Sequence, residues 1–559
     1  MSIERSEARA RHWPFGAPPT FAPPSRRTTL LACLLIALIT LASWLPRSSG
    51  PIDLRWDGGA YYLIGTSLAE GKGYRLPSEP GNFPSSVHAP FLPVLVAVHQ
   101  RLLGSADPAV VGPALRFTTI AFSVAYALAI FVLLRAYLPW PWALAVPLLG
   151  VWQPQYAYFS DALYAETFFG LFTVVFFILQ RQRTSLVCFA AAGGFAALAY
   201  GARTAGIALL VAWVADTVWR REFKRLPIVL VVAALPVIAW TGWIRTAEAS
   251  PEYRNPVYAY QTAPFVYYNV SYTKNLFTLQ DPSNPQLGPL TRDALVERVT
   301  KNLGSMPLRV GEAVSSWAAP RAFSLFLALL VGCGLVVLAA HGHVLIVAYL
   351  ALSLAAVALT PFDKQFIRYL MPLYPFFALA MFTFLGLAAA AARRRFPSLP
   401  ALLGPAAAGL VVAAIALVEW RDLRRLYAHH DRAYEQRSAA GDDRLFHDAP
   451  FGTEFDAALA WLQGRGQPSA VVAATDPQRV TLRTGLKAVL PPFELDGAKA
   501  QRLIDTVPVR YLVAETEPQT LGHGAYHRFT SALLRDNPGR WARVWQGAGG
   551  KVAVYERQR

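Results

Sequence analysis

The sequence predicts a polytopic α-helical membrane protein that carries a small α/β domain at its C-terminal end. Of the 559 residues, 54% are hydrophobic and 16% are charged, and the mean hydropathy is +0.32. These values are typical of membrane proteins and argue against an ordinary soluble enzyme. Long apolar segments recur up to residue 418, and beyond that point short apolar runs alternate with segments of helical character.

Apolar segments close to the ~20 residues needed to cross a bilayer predict about eleven membrane-spanning helices. They are residues 28–45, 112–138, 142–159, 163–179, 186–200, 205–219, 226–244, 322–340, 344–359, 369–391 and 401–418. The first segment is interpreted as an uncleaved span, because the residues after it lack a small-x-small cleavage site.

Lysine and arginine in the short connections predict the sidedness, since positive residues are retained on the cytoplasmic side. Basic clusters precede the first predicted span and follow the fourth, sixth and tenth; examples are Arg26, Arg181, Arg220 and Arg393. The N-terminus is therefore expected in the cytoplasm and the C-terminal domain outside it. The predicted location is the plasma (bacterial inner) membrane.

The predicted organisation is a cytoplasmic disordered leader at residues 1–27, a membrane domain at 28–420 and a non-cytoplasmic α/β domain at 421–559. Two outer loops, residues 46–111 and 245–320, belong to the membrane domain. In the last domain, the runs AVVAA, KAVL and RYLVAE predict strands of a mostly parallel sheet. The run QGAGGKVAVY predicts a hairpin turn, because a strand and not a helix follows its glycines.

The formal net charge of +17 resembles the footprint of a nucleic-acid-binding protein, but membrane topology explains it better. Much of the positive charge belongs to the cytoplasmic connections. The three cysteines lie in three different apolar segments, which predicts neither a disulfide framework nor a CxxC metal site.

Asp57 is the first candidate for chemistry. It follows the first apolar segment and precedes GGAYYLIGTSLAEG, which has helical character. A structural role as the N-cap of that helix is one interpretation. A carboxylate beside a membrane boundary is also typical of a functional site, and the two roles are compatible.

A second group of acids lies in YFSDALYAETFF, where the third and fourth predicted spans meet. Asp161 and Glu166 are five residues apart, so on one helix they would not share a face. If Asp161 caps the fourth span, only Glu166 is buried within it. Both remain candidates at this point.

Four groups are candidates for binding an anion on the same outer side. Arg368 opens a predicted span, where a cation opposes the helix dipole unless an anion is near. The others are Lys364, for which snorkelling at a helix end is equally well supported, Arg203 and His88. The loop aromatics Tyr258, Tyr260, Phe265, Tyr267 and Tyr268 suit either sugar rings or the membrane interface.

Carboxylates able to accept a proton, next to cations able to hold a phosphate, indicate glycosyl transfer from a lipid-phosphate carrier. The carboxylate would serve as general base on an acceptor hydroxyl. The cations would stabilise the leaving phosphate while the sugar passes through an oxocarbenium-like state. The expected partners are a polyprenyl-phosphate-linked sugar, membrane lipids and a lipid, protein or polysaccharide acceptor, with no nucleic acid.

The chain resembles the GT-C superfamily of polytopic glycosyltransferases, in the branch that contains the protein O-mannosyltransferases and the bacterial aminoarabinose transferase of lipid A. Nearly the whole chain is covered by the resemblance, which rests on D-x3-YY followed by LAEGKGY, on HAP-x2-P, on DALYAETFF and on RYLMPLYPFFALA, in that order. The resemblance implies the GT-C fold and a polyprenyl-phosphate donor.

The resemblance also implies roles for single residues. It makes Asp57 the catalytic base and Asp161 or Glu166 a second site acid, and it makes Arg368 the contact to the carrier phosphate. Some relatives have a lysine before a proline pair where this chain has His88. The motif tyrosines Tyr61, Tyr62 and Tyr369 become candidates for substrate contacts.

Some members of the superfamily have paired acids in the first loop and depend on a divalent metal. Here Gly58 follows Asp57, so no metal or other cofactor is inferred. Two competing interpretations are a transporter or flippase of lipid-linked sugars and a glycan ligase or polymerase. A transporter would be expected to carry its charges near the bilayer midplane, between broken helices.

Overall fold

The structure is a computed structural model that describes residues 25–48, 52–398, 400, 402–438, 450–465, 469–516 and 526–558. Most of the predicted leader, residues 1–24, lies outside the described residues. The first ten helices are α1 (Arg26–Trp44), α2 (Asp57–Ala69), α3 (Phe91–Leu103), α4 (Pro108–Leu134), α5 (Trp140–Trp152), α6 (Pro154–Asp161), α7 (Glu166–Gln180), α8 (Leu186–Ala202), α9 (Ile207–Trp219) and α10 (Leu226–Ala249).

The helices that follow are α11 (Pro251–Arg254), α12 (Tyr272–Phe277), α13 (Arg292–Val314), α14 (Arg321–Ala340), α15 (Val344–Leu359), α16 (Phe366–Leu370), α17 (Tyr374–Arg395) and α18 (Leu403–Ser438). Side-chain caps begin several of them. The Ser25 hydroxyl accepts from the Thr28 amide, and the Asp107 carboxylate accepts from the Ala109 amide where Pro108 opens α4. These caps satisfy amides that have no partner within the helix.

Five helical segments among the described residues are long and apolar enough to cross a membrane. They are Arg26–Arg47, Pro108–Leu134, Leu226–Ala249, Arg321–Ala340 and Asp363–Arg395. Shorter apolar helices occupy five further predicted spans, including Glu166–Gln180 and Val344–Leu359. The prediction of a polytopic helical protein is confirmed. Fewer helices than the eleven expected are long and apolar enough to cross a membrane on their own.

One predicted span is interrupted. Residues 142–159 divide into α5 and α6, because Gln153 has an extended backbone with ψ of 126° and Pro154 begins the next helix. Proline disfavours the helical conformation of the residue before it. The sequence carried a signal for this break, since Gln153, Pro154 and Gln155 interrupt the apolar run, but the prediction of one span over residues 142–159 overlooked it.

The C-terminal domain contains α19 (Pro450–Arg465), α20 (Pro477–Thr484), α21 (Gly497–Ile504) and α22 (His527–Asp536). Its strands are β1 (Val471–Ala473), β2 (Lys487–Val489), β3 (Val509–Glu515), β4 (Trp541–Gln546) and β5 (Val552–Arg557), in the order β2-β1-β3-β5-β4. The first three strands are parallel, as predicted, but β5 pairs antiparallel with both β3 and β4. The sheet is therefore mixed. The hairpin predicted in QGAGGKVAVY joins β4 to β5.

The boundary predicted at residues 420 and 421 falls inside a continuous helix, α18, which runs from Leu403 to Ser438. The second outer loop is also partly helical, since α13 fills its second half. The composition changes from apolar to charged at this boundary, but the backbone stays helical across it. Arginine and glutamate favour a helix, so the helix continues after the apolar segment ends.

Tyrosines of the second outer loop pack against the C-terminal domain. Tyr258, Tyr260 and Tyr268 are at most 3% exposed and share an apolar cluster with residues of that domain. The Tyr260 hydroxyl donates to the Leu490 carbonyl at 3.0 Å, and the ring of Phe265 stacks on Phe493 with 5.4 Å between centroids. Neither sugar binding nor interface anchoring describes these three tyrosines, because they form the joint between two parts of the chain.

Candidate active site

A single parallel bridge aligns the starts of the two helices that begin with Asp57 and Glu166. Asp53 pairs with Ala162, with hydrogen bonds from the Asp53 amide to the Asp161 carbonyl at 3.3 Å and from the Leu163 amide to the Asp53 carbonyl at 2.9 Å. Asp57 and Glu166 each lie four residues after this bridge, and each is the first residue of its helix. The local pairing therefore brings together positions more than a hundred residues apart in sequence.

Asp57 does not act as the N-cap of α2. It is the first helical residue, the preceding position belongs to Trp56, and no side-chain capping bond forms there. Trp56 has a φ of +54°, which is uncommon for a residue with a side chain. An acid in the first helical turn still favours the positive end of the helix dipole.

Glycines after Asp57 allow close packing. A Cβ at Gly59 would lie 2.8 Å from the Leu54 carbonyl oxygen and 2.9 Å from the Gln478 Cβ. Gln478 belongs to α20, so this helix of the C-terminal domain packs directly on the helix that begins with Asp57. A larger residue at position 59 would force them apart.

Arg368 bridges the two acids. Its Nη1 lies 2.7 Å from Asp57 Oδ2, and its Nε donates to Glu166 Oε1. The guanidinium also lies over the ring of Tyr164, 4.1 Å from the centroid. Arg368 side-chain exposure is 10% and that of Glu166 is 1%, whereas Asp57 is 34% exposed. Asp57 is thus the acid that solvent or a substrate can reach.

Arg203 extends the cluster on its far side. Its Nη1 lies 2.6 Å from Glu166 Oε1, and its guanidinium lies 5.0 Å from the ring centroid of Tyr369. Glu166 Oε2 has no hydrogen-bond partner among the described residues. Two arginines and two carboxylates thus form one connected cluster, which we call the Arg368 cluster: Asp57, Glu166, Arg203 and Arg368.

Asp161 belongs to a different cluster. It ends α6, is 1% exposed, and pairs with Arg116 Nη1 at 2.5 Å. Arg116 also donates to the Arg47 carbonyl, and Arg47 Nη1 donates to the Ala157 carbonyl at 2.6 Å. Asp161 does not cap the fourth span, because the residue before α7 is Ala165 and no side-chain capping bond forms there.

Glu166 is buried, but it is the first residue of α7 and does not lie more than a turn inside the span. Since Asp161 ends one helix and Glu166 begins the next, the angular spacing of a single helix does not apply to them. The four residues between them make the bridge to Asp53 and turn the two acids toward different partners.

His88 lies beside Asp57 and packs against a candidate tyrosine. It is 7% exposed, and its ring meets that of Tyr61 edge-on with 5.1 Å between centroids. Burial lowers the pKa of His88 below its usual value, although the charge of Asp57 opposes this. A neutral imidazole can donate one hydrogen bond to a ligand but adds no charge.

The remaining candidates divide. Tyr369 lies beside Arg203, whereas the Tyr62 hydroxyl donates to the Ala106 carbonyl at 2.8 Å and is used within the loop. Lys364 is exposed and forms no ion pair among the residues that the structure describes. It lies outside the Arg368 cluster.

Charge determines the protonation of Asp57. Burial is the largest single effect and would raise its pKa, but the charge and hydrogen bond of Arg368 together with the charges of His88 and Arg203 outweigh it, and the pKa lies below the usual value. The carboxylate is therefore ionised at neutral pH while it pairs with Arg368.

The part of the chain that the structure describes contains no group of three or more histidine, cysteine or acidic side chains arranged to hold a metal ion. Asp57 and Glu166 are the acids that lie together, and a guanidinium stands between them. This donor set does not fit a divalent ion shared by the two carboxylates.

Tyr164 is the site residue that sequence reasoning missed. It lies two positions before Glu166, in the same motif, and supports the guanidinium of Arg368 through its ring face. An aromatic residue next to a candidate acid was the available signal. Arg116 was also overlooked, although an arginine inside a long apolar helix is itself a signal that a buried partner is present.

No family model and no curated protein matches the sequence. Solved structures do match the fold. An oligosaccharyltransferase from Archaeoglobus fulgidus, tethered with an acceptor peptide, has a TM-score of 0.56 and 12% identity, covering 96% of this chain and 74% of its own. ArnT from Cupriavidus metallidurans, bound to undecaprenyl phosphate, has a TM-score of 0.50 and 12% identity, covering 95% and 98%.

This chain has the GT-C fold. A second structure of the same oligosaccharyltransferase, in complex with zinc and sulfate, has a TM-score of 0.53 and 14% identity and covers 94% of this chain and 73% of its own. At this identity the similarity establishes the GT-C fold alone. The expectation of that fold, drawn from four short motifs, is confirmed.

Proposed function

We propose that this chain is a glycosyltransferase that moves a sugar from a polyprenyl-phosphate carrier to an acceptor hydroxyl at the outer face of the membrane. The observation that carries the proposal is the Arg368 cluster, in which a buried arginine pairs with a partly exposed Asp57. GT-C neighbours with a bound polyprenyl phosphate and a tethered acceptor peptide support the choice of substrate classes.

The proposed orientation places the cluster outside and the basic helix ends in the cytoplasm. Arg26, Arg135, Arg181 and Arg393 line one cleft. Glu166 begins α7 and Arg181 follows its end, so the cluster and this cleft are separated by the length of α7, about 22 Å. Positive residues concentrated at one end agree with retention on the cytoplasmic side.

With this orientation the N-terminus is cytoplasmic and the C-terminal α/β domain, from residue 421, lies outside. The shorter apolar helices would complete the set of about eleven spans where the bilayer thins locally or where their flanking residues snorkel to the interface. The charged groups of the cluster gather at one end of the molecule, which favours catalysis at a membrane face over transport through the midplane.

Arg368 and Arg203 are the proposed donor-phosphate contacts. Guanidinium groups hold phosphate oxygens bidentately. Charge that grows on the departing phosphate would strengthen these contacts in the transition state. Glu166 would position both guanidinium groups, because its Oε1 accepts from each.

Asp57 is the proposed general base. It would take the proton of the acceptor hydroxyl while the acceptor oxygen bonds to the sugar carbon, and the electrons of the broken carbon–oxygen bond would remain on the carrier phosphate. A phosphate that competes for Arg368 would weaken the Asp57–Arg368 pair. The pKa of Asp57 would then rise toward its usual value, which would make it a stronger base when donor is bound.

The C-terminal domain is proposed to border the acceptor path, since α20 packs on the helix that begins with Asp57. The same site would suit the transfer of a single sugar or of a whole glycan. Tyr61 and His88 line the approach to Asp57, and Tyr369 lines that to Arg203.

The proposal is tested by mass spectrometry of cell-envelope glycans with and without the chain, followed by transfer assays on the purified protein. We expect one glycan class to disappear without the chain, and to return with the wild type but not with Asp57→Asn. Asp363→Asn is the control, since that exposed acid pairs with Lys301 away from the cluster. Transfer at normal rate by Asp57→Asn would contradict the proposal.

A further inference from the structure

A deep cleft opens at the end of the molecule opposite Asp57. Its volume is about 1470 Å³, larger than the roughly 300–1,000 Å³ of ordinary small-molecule pockets. The start of α1, the connection from α4 to α5 and the ends of α7, α14 and α17 border it. None of the residues of the Arg368 cluster lines it, so the cleft is separate from the proposed active site.

The mouth of the cleft is strongly positive. Its basic lining groups are Arg26, Arg135, Arg181, Arg393, His341 and His343, and Tyr137 is the other titratable one. Among the described residues, no carboxylate lines the cleft. Acids near the end of α9 are paired elsewhere, Asp216 with Arg220 at 2.8 Å and Glu222 with Arg183 at 3.0 Å. The positive charge of the mouth is therefore not neutralised by the protein.

The interior of the cleft is apolar. Its walls include Leu30, Val132, Trp142, Ile178, Phe382 and Leu387. Phe382 lies about three turns before Arg393 on α17, so the apolar wall is about 16 Å deep. A Cβ at Gly386 would meet no atom within 4 Å, which shows that this part of the wall faces open space.

We propose that the cleft binds one anionic phospholipid, with its phosphate among the arginines and an acyl chain along α17. Arginine at a basic pocket between membrane helices is well suited to a phosphate head group. A free phosphate would use the mouth and leave the apolar interior in water, which is unfavourable. The combination of a cationic mouth and a deep apolar wall thus selects an amphiphile.

The test uses the full-length protein in neutral detergent and measures lipid binding by native mass spectrometry. Phosphatidylglycerol and phosphatidylcholine with identical acyl chains are the two probes. We expect phosphatidylglycerol to bind at least about tenfold more tightly, and the double variant Arg135→Gln with Arg393→Gln to remove most of that preference. The matched control is Arg221→Gln with Arg394→Gln, which removes two exposed charges from the same end but not from the cleft.

A second variant, Gly386→Leu, tests the apolar part while every arginine remains. Leucine favours a helix more than glycine does, so the fold is expected to persist and phosphatidylglycerol binding to fall about tenfold. Equal affinity for the two lipids, an equal loss in the control variant, or full binding by Gly386→Leu would each overturn the proposal.

Discussion

Two clusters of arginine and carboxylate each take one acid from residues 161–166 and differ in access. In the Arg368 cluster, Asp57 is 34% exposed. In the other cluster, Asp161 is 1% exposed and Arg116 is 4% exposed. The first cluster is open to solvent at Asp57, whereas the second is closed. Proximity of charge alone therefore does not identify a site; access and partner geometry do.

The largest expected effect is a loss of sugar transfer when the acid of the open cluster, Asp57, is replaced. Asp57→Asn is nearly isosteric and removes only the proton acceptor, so kcat for sugar transfer should fall about 10²- to 10⁴-fold. Donor binding should change little, because Arg368 and Glu166 remain paired. The measurement is steady-state transfer from a polyprenyl-phosphate-linked donor by the purified protein. A fall of less than threefold would remove Asp57 from the mechanism.

Asp161→Asn should give the opposite pattern. The change leaves the buried Arg116 guanidinium without its carboxylate, which typically costs about 3 kcal/mol or more of stability. Thermal unfolding in detergent is expected to shift downward, with transfer per folded molecule unchanged. If Asp161→Asn instead lost transfer at full stability, the two clusters would not be distinct in function.

Arg368→Lys sharpens the comparison within the open cluster. Lysine keeps the charge but cannot contact Asp57 and Glu166 in the planar fork that arginine provides. Loss of one charge-assisted hydrogen bond, about 1.5–3 kcal/mol, predicts a rise in donor KM of roughly tenfold or more. The matched variant Arg116→Lys should leave donor KM unchanged. A KM effect of equal size in both variants would argue for a structural cause.

Glu79 shows what burial does to a carboxylate that no arginine accompanies. It is fully buried, and its Oε2 accepts from the Tyr258 hydroxyl at 2.8 Å and the Gln261 amide at 3.1 Å. Burial raises the pKa of Glu79 to about 7, in contrast to the lowered pKa of Asp57.

Because the folded pKa of Glu79 exceeds the unfolded value, the native state binds more protons between about pH 4.5 and 7, and stability falls as pH rises through this range. Glu79→Gln should make stability depend less on pH. The unfolding midpoint of the variant should lie a few degrees above that of the wild type at pH 8 and close to it at pH 5. The measurement is thermal unfolding from pH 5 to 8. Identical slopes for the two proteins would show that Glu79 is not the responsible group.

The sequence predicted much of the architecture for physical reasons that act locally. Long apolar segments must be helical in lipid because their backbone groups need partners, and this holds for α1, α4 and α14. Local pattern also predicted the three parallel strands and the β4–β5 hairpin. It did not reveal the continuity of α18 or the antiparallel end of the sheet, and the prediction of one span over residues 142–159 overlooked the proline that divides it.

The candidate site was predicted as a set of residues and not as an arrangement. Asp57 and Arg368 were named from their position at predicted span ends, and the structure places them 2.7 Å apart between carboxylate oxygen and guanidinium nitrogen. Asp161 and Glu166 could not be distinguished from sequence, because their partners lie far away along the chain. Tyr258, Tyr260 and Tyr268 had two interpretations, and their burial supports neither.

The sequence by itself determined which acidic and basic side chains are available and that the chain is a helical membrane protein. It also determined that several of these charged side chains lie near helix ends. Tertiary structure decided which charges meet, because the bridge between Asp53 and Ala162 aligns two helix starts that no local pattern relates. It also decided which acid stays open, since exposure depends on every neighbour that packs around a side chain and not on the residues beside it in sequence.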